Sequence, residues 1–221
     1  MAMERIEFAF RSPGKLFTRA VIFLLLLLCT GYVLTIFAPG FMVRYFALET
    51  SSVLQGKVWQ LVTYHFVTGC PWNLIFAVLT VLFVGSAVEK DLGTAGLLLF
   101  WAVIGLICGL LWMLINLITG QNFIGGGPVA GTCALICMMG ILFKESRILF
   151  FFFPLKAEHL AILLITIVVI LNIYPPINLI WILGAPAAWY YYKLRRKALA
   201  GRSKRFSSKT NSKKEGFVDI D

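Results

Sequence analysis

Few side chains in this sequence could do chemistry within its apolar stretches: His65 and His159, the cysteines Cys29, Cys70, Cys108, Cys133 and Cys137, and the hydroxyl of Thr132. A cysteine attacks as a thiolate, so it needs a base or cation beside it. Cys133 with His65 is the one such pairing that the order of segments allows. The plainer reading is a buried packing thiol and an interfacial imidazole. His159 opens a later apolar segment, at the other membrane edge from Cys133. Cys133 and Cys137 share a helix face, but no His or second Cys pair accompanies them, so neither a metal nor any other cofactor is expected. Proteolysis by paired carboxylates, or ion-coupled transport, needs ionisable groups inside apolar spans. Apart from Glu158 at a span edge the expected spans hold no Asp, Glu, Lys or Arg, and Asn116, Asn172 and Asn178 read as hydrogen-bonding groups near span ends.

The elements that must position these residues follow from composition. Of 221 residues, 60% are hydrophobic and 14% charged, and the mean hydropathy is +0.88; a soluble domain carries about 25% charge. Too little polar surface remains to cover a core in water. The expected fold class is an all-α membrane protein, since each span needs about 20 residues. Six spans are predicted, at 20–38, 72–88, 95–118, 126–143, 157–173 and 177–192. Residues 1–19 precede this membrane domain, 20–192 form it, and 193–221 follow as a basic tail expected to be disordered. Between the first two spans, Pro39–Pro71 is apolar but broken by Arg44, Glu49 and Lys57. Phe41–Phe46 and Trp59–Phe66 are predicted to be short helices lying at the membrane interface.

The net charge of +10 invites a nucleic-acid reading, but ten of the twenty Lys and Arg residues lie between Lys193 and Lys214. Successive connections, starting with the N-terminus, carry four, two, one, none, three, none and ten cations. This alternation predicts cytoplasmic placement of both termini. Lys193, Arg195, Arg196 and Lys197 are expected to anchor the last span at anionic lipid headgroups. Nucleic acid is not an expected partner, because aromatic interleaving in the tail is limited to Phe206.

Three ordered motifs carry a family resemblance: Gly56-Lys-Val-Trp-Gln-Leu-Val-Thr63, Gly85-Ser-Ala-Val-Glu-Lys-Asp-Leu-Gly93 and Gly125-Gly-Gly-Pro-Val-Ala-Gly131. With the block Phe150–Ala157, they make the chain resemble the rhomboid family of intramembrane serine proteases over about residues 15–195. The resemblance implies a Ser nucleophile at the start of the fourth span and a His base on the sixth. A hydroxyl attacks only when a base within about 2.6–3.2 Å takes its proton. Here Val129 and Ile182 occupy those positions, and the family's oxyanion pair falls on Asn73 and Ala77. A further family His falls at Thr68, and the usual Trp-Arg pair reads Trp59-Gln60.

Such replacements imply a pseudoprotease, not an enzyme. Resemblance to inactive rhomboids and derlins implies transmembrane segments of other proteins as partners, received in a cavity of Asn73, Gly127, Val129, Cys133 and Ile182. The alternatives are an active rhomboid peptidase with a displaced nucleophile and a small-solute carrier. Val129 is expected to face Ile182. The small residues of Gly105-x-x-x-Gly109, Gly127-x-x-x-Gly131 and Gly184–Ala188 are expected to let helices approach closely. The look of Phe150–Ala157, with no disulfide or glycosylation pattern, points to a bacterial inner membrane.

Overall fold

A computed structural model describes residues 17–143, 147–150, 153–171 and 176–196. Helix α1 (Arg19–Phe37) is followed by three short helices, α2 (Pro39–Phe46), α3 (Thr50–Leu54) and α4 (Gln60–Thr63), and a tight 3-10 turn at Tyr64–Phe66. Helices α5 (Pro71–Thr80) and α6 (Ser86–Leu92) run on through a π-helical turn at Val81–Gly85, and α7 (Thr94–Thr119) and α8 (Val129–Leu142) follow. Strands β1 (Arg147–Phe150) and β2 (Phe153–Lys156) pair antiparallel, with Arg147 opposite Lys156. Helix α9 (Ala157–Leu171), a 3-10 stretch Pro176–Leu183 and helix α10 (residues 184–196) complete the described chain.

Apolar helices therefore stand where spans were expected, and three are long and apolar enough to cross a membrane: Arg19–Phe37, Pro71–Leu92 and Thr94–Thr119. Val129–Leu142 and Glu158–Ile170 are apolar but shorter. The two-stranded hairpin departs from the all-α expectation. Of the tail, only residues 193–196 lie among the described residues.

Local chemistry sets the boundaries. Pro39 and Pro71 open α2 and α5 at a position where a missing N–H costs nothing. Gly93 and Gly120 end α6 and α7 with φ of 77° and 65°, a region that favours glycine. Helix α1 is apolar all round, yet it turns one seam inward through Ala20, Val21, Leu24, Leu28 and Gly31, at helical spacing. At Gly31 that seam touches the backbone carbonyl of Phe66, where any Cβ would collide. Helix α8 is covered on every side: each residue from Val129 to Ile136 is buried. A helix at the centre of a bundle has no polar face to spare.

Buried Glu89 ties three elements together. Its carboxylate accepts the backbone N–H groups of Ala20 and Val21, both at 3.2 Å, at the otherwise open N-terminus of α1. It also accepts the hydroxyls of Thr18 and, at 2.7 Å, of Thr94 at the start of α7. A carboxylate there offsets orphan donors and the positive end of the helix dipole. Glu89→Ala should therefore lower unfolding free energy in detergent by about 1–3 kcal/mol, the range for stranding buried polar groups. Glu89→Gln, which keeps an acceptor, should lose less. Thermal melts of both variants check this; an unchanged Glu89→Ala melt would contradict it.

Candidate functional site

The expected site lies where the first turn of α8 meets the segment around Ile182. Gly127, with φ of 115°, turns the chain into α8, and its N–H donates to the Tyr64 carbonyl at 2.9 Å. Leu48 and Gly125 exchange backbone hydrogen bonds of 2.8 Å each way, pinning the α2–α3 connection to the loop before α8. Gly184 rests on the backbone of Ala130 so closely that a Cβ would strike the Ala130 carbonyl. The start of α10 thus seats on the residue after Val129, two residues beyond Ile182.

Val129, Gly127 and Cys133 are buried, while Ile182 and Asn73 are half-buried and Ala77 is fully buried on α5. The five residues expected to line a partner cavity are therefore split: three belong to the packed interior and two reach the rim. A row of rings borders this region. Trp112 stacks on Trp181 at 4.6 Å between centroids, Trp181 on Tyr64 at 4.9 Å, Tyr64 meets His65 at 4.4 Å, and His65 meets Trp101 at 5.4 Å. All five residues are at most 2% exposed. Offset aromatic pairs of this kind contribute about 0.5–1.5 kcal/mol each beyond their burial.

Glycines make room for the rings. A Cβ at Gly131 would lie 2.7 Å from Trp101, one at Gly125 would lie 2.9 Å from both Trp112 and Trp181, and one at Gly105 would lie 2.7 Å from His65 Nε2. Gly109 faces Leu61, whose carbonyl would be 3.1 Å from an added Cβ. The Gly105-x-x-x-Gly109 stripe thus receives the connection between the first two apolar spans, and not another span. Part of the segment Trp59–Phe66, expected at the membrane interface, therefore packs into the bundle, while Trp59 itself stays exposed. Gln60, Leu61, Tyr64 and His65 are buried, and the Tyr64 hydroxyl donates to the Gly105 carbonyl at 3.3 Å.

Among the described residues the nucleophile candidates Thr132 and Cys133 are placed on α8. The Thr132 hydroxyl donates to its own helix, to the carbonyls of Pro128 at 2.8 Å and Val129 at 2.9 Å. Cys133 is fully buried. No hydrogen bond joins it to His65, neither of whose ring nitrogens has such a partner among the described residues. His159 is exposed at the start of α9. Among the described residues no group of three His, Cys, Asp or Glu could hold a metal ion.

Polar groups around the site serve structure. Gln60 accepts the Glu49 N–H at 3.3 Å and donates to the Arg44 carbonyl at 3.3 Å. The hydroxyls of Ser52 and Ser51 hold the Glu49 carboxyl below its ordinary range, outweighing its burial. Asn116 donates to the Thr50 hydroxyl at 3.2 Å and the Phe123 carbonyl at 3.1 Å.

Among the expected headgroup cations, Lys193 lies 4.8 Å over the Trp189 ring and Arg196 is exposed. Arg195 also makes contacts within the chain. It pairs with Asp91 at 3.6 Å and donates to the Leu92 carbonyl at 3.4 Å, holding α10 to the α6–α7 turn. Lys197 lies outside the described residues. Sequence reasoning did not single out Tyr64, Trp101, Trp112 and Trp181 or the capping role of Glu89. Their available signals were large aromatics near family glycines and a carboxylate at a span end.

A family model described as eukaryotic integral membrane protein (DUF1751) matches residues 19–215. No curated protein matches the chain. The eukaryotic description speaks against the bacterial inner membrane expected from Phe150–Ala157.

The glycine contacts give a graded test of the packing. Gly184→Ala and Gly131→Ala should each destabilise the bundle by about 1–3 kcal/mol, the usual cost of overpacking. Gly40→Ala, with nothing within 4 Å of its Cβ, should be neutral or slightly stabilising. Equal melting temperatures for all three would contradict the packing described.

Proposed function

The chain belongs to the eukaryotic integral membrane protein family (DUF1751), and from that premise we propose that it is a rhomboid-like membrane protein that binds transmembrane segments of other proteins without cleaving them. The observation that carries the reading is the side-chain content of the site. Buried Val129 and half-buried Ile182 stand where the rhomboid resemblance would put the nucleophile and the base, and the row of aromatic rings borders this region. Acyl transfer needs a nucleophile, a base and donors for the oxyanion. Among those positions only Asn73 retains a hydrogen-bonding side chain.

In this reading partners meet the protein at the rim, by Asn73 and Ile182, because Val129, Gly127 and Cys133 are enclosed. Association there would use van der Waals contact and polar groups, as lipid supplies no hydrophobic drive between helices. The proposed orientation keeps both termini in the cytoplasm, following the Lys and Arg asymmetry of the connections. The protein would reside in a eukaryotic membrane.

Two measurements test the proposal. Photo-crosslinkers at Ile182 and Asn73 should capture membrane proteins, whereas one at buried Cys133 should capture neighbours within the chain. Capture of lipid alone from both rim positions would end the binding reading. A serine-reactive fluorophosphonate should leave the protein unlabelled. The double variant Val129→Ser with Ile182→His should still show no robust proteolysis, since Ala77 leaves the oxyanion site incomplete. Cleavage of a transmembrane substrate by the unmodified protein, persisting in Cys133→Ala, would establish a peptidase instead.

A further inference from the structure

The connection between α1 and α5 carries a second feature that the proposed function does not use. Three successive carbonyls at the C-terminus of α2, which a helix end leaves without partners, are capped by side chains from residues 57–63. The Arg44 carbonyl accepts from Lys57 Nζ at 3.4 Å and Gln60 Nε2 at 3.3 Å. The Tyr45 carbonyl accepts from Trp59 Nε1 at 2.9 Å, and the Phe46 carbonyl from the Thr63 hydroxyl at 3.1 Å. These bonds weld α2 and the 57–63 segment into one plate. Its inner side buries Met42 against Ala47 and Val67. Its outer side leaves Phe41, Tyr45, Val58 and Trp59 exposed.

Charge on the plate is positive in excess, with two cations and one carboxylate that lies within reach of Lys57. Arg44 and Lys57 are the only Lys or Arg between Arg19 and Lys90. They meet at this plate, with the Lys57 ammonium 5.5 Å from the centre of the Tyr45 ring. The one carboxylate nearby, Glu49, is turned to the hydroxyls of Ser51 at 2.9 Å and Ser52 at 2.8 Å and to the amide of Asn122 at 3.3 Å. The three charged groups together leave a net positive plate. Exposed Trp and Tyr rings beside cations suit the boundary between acyl chains and headgroups.

We propose that this plate is a binding surface for anionic phospholipid, with Phe41, Tyr45 and Trp59 at the acyl boundary and Arg44 and Lys57 on the headgroup phosphate. The occupant follows from charge complementarity together with the fixed aromatic face. Arg44 contributes only its carbonyl to the caps, so its side chain can be changed without undoing them.

The test uses the full chain in phosphatidylcholine nanodiscs with and without phosphatidylglycerol. Native mass spectrometry should show preferential retention of phosphatidylglycerol. Arg44→Gln should weaken that preference about fivefold, and Arg44→Gln with Lys57→Gln about twenty-five-fold, from the usual contribution of a surface cation near anionic lipid. Arg44→Lys with Lys57→Arg, which keeps both charges, should preserve it. Lipids brominated in the upper acyl chain should quench tryptophan emission in a component lost in Trp59→Phe. Unchanged phosphatidylglycerol retention in Arg44→Gln at unaltered near-ultraviolet circular dichroism would overturn the proposal. So would the absence of quenching at Trp59, whether the plate is then bare or covered by a second copy.

Discussion

The enclosure of α8 is the constraint on which the rest of the structure depends. A 14-residue helix rises only about 21 Å, less than the roughly 30 Å apolar thickness of a bilayer. Its ends must therefore be covered by protein. Loop 120–128 covers one end through the Leu48–Gly125 bridge and the Gly127–Tyr64 hydrogen bond. Helices α5, α7 and α9 and the stretch Pro176–Leu183 surround its sides. With lipid-facing association lacking a hydrophobic drive, close van der Waals fit supplies the cohesion. This explains why glycines at 131 and 184 stand opposite a Trp ring and a backbone carbonyl.

Burying so much irregular backbone at the level of α7 demands that its polar groups find partners within the protein. The 38–70 connection meets that demand with side chains: Gln60, Trp59 and Thr63 cap α2, and Gln60 also holds the Glu49 N–H. Glu89 answers the same demand at the opposite end of α1. Both solutions use residues distant in sequence, so the caps form only when the bundle forms. Secondary structure and tertiary packing are coupled through them.

Much of this was legible in the sequence. Apolar length located three helices long enough to span a membrane and two shorter apolar ones, and the Gly-Pro step at 127–128 marked the abrupt start of α8. The bare aliphatic side chains at 129 and 182 were legible for the same reason: residue type at a fixed position needs no tertiary information. What could not be read was which partner each glycine admits. Gly105 and Gly109 read as a helix-packing stripe, yet the group they receive comes from Leu61 and His65. A small residue shows that something approaches; it does not encode what. The β1–β2 hairpin was missed because its residues interrupt an apolar chain without the alternation that marks a strand with one face buried.

The aromatic row sharpens the relation between fold and chemistry. A nucleophile, a base and water held together in a low-dielectric interior cost stability. Val129 places an aliphatic side chain in the buried first turn of α8. Trp181, one residue before Ile182, stacks between Trp112 and Tyr64 and thereby joins three elements. Those contacts make the surroundings of the first turn of α8 part of the core. The α4 segment is held by the same rings, through Tyr64 and His65. A scaffold stabilised in this way has its interior occupied, so recognition of other membrane proteins on the proposed reading falls to the half-buried rim at Asn73 and Ile182. The same rigidity fixes the neighbouring plate, whose caps share the 57–63 segment with the aromatic core. Interior packing and presentation of the outer surface are consequences of one segment inserted against α7.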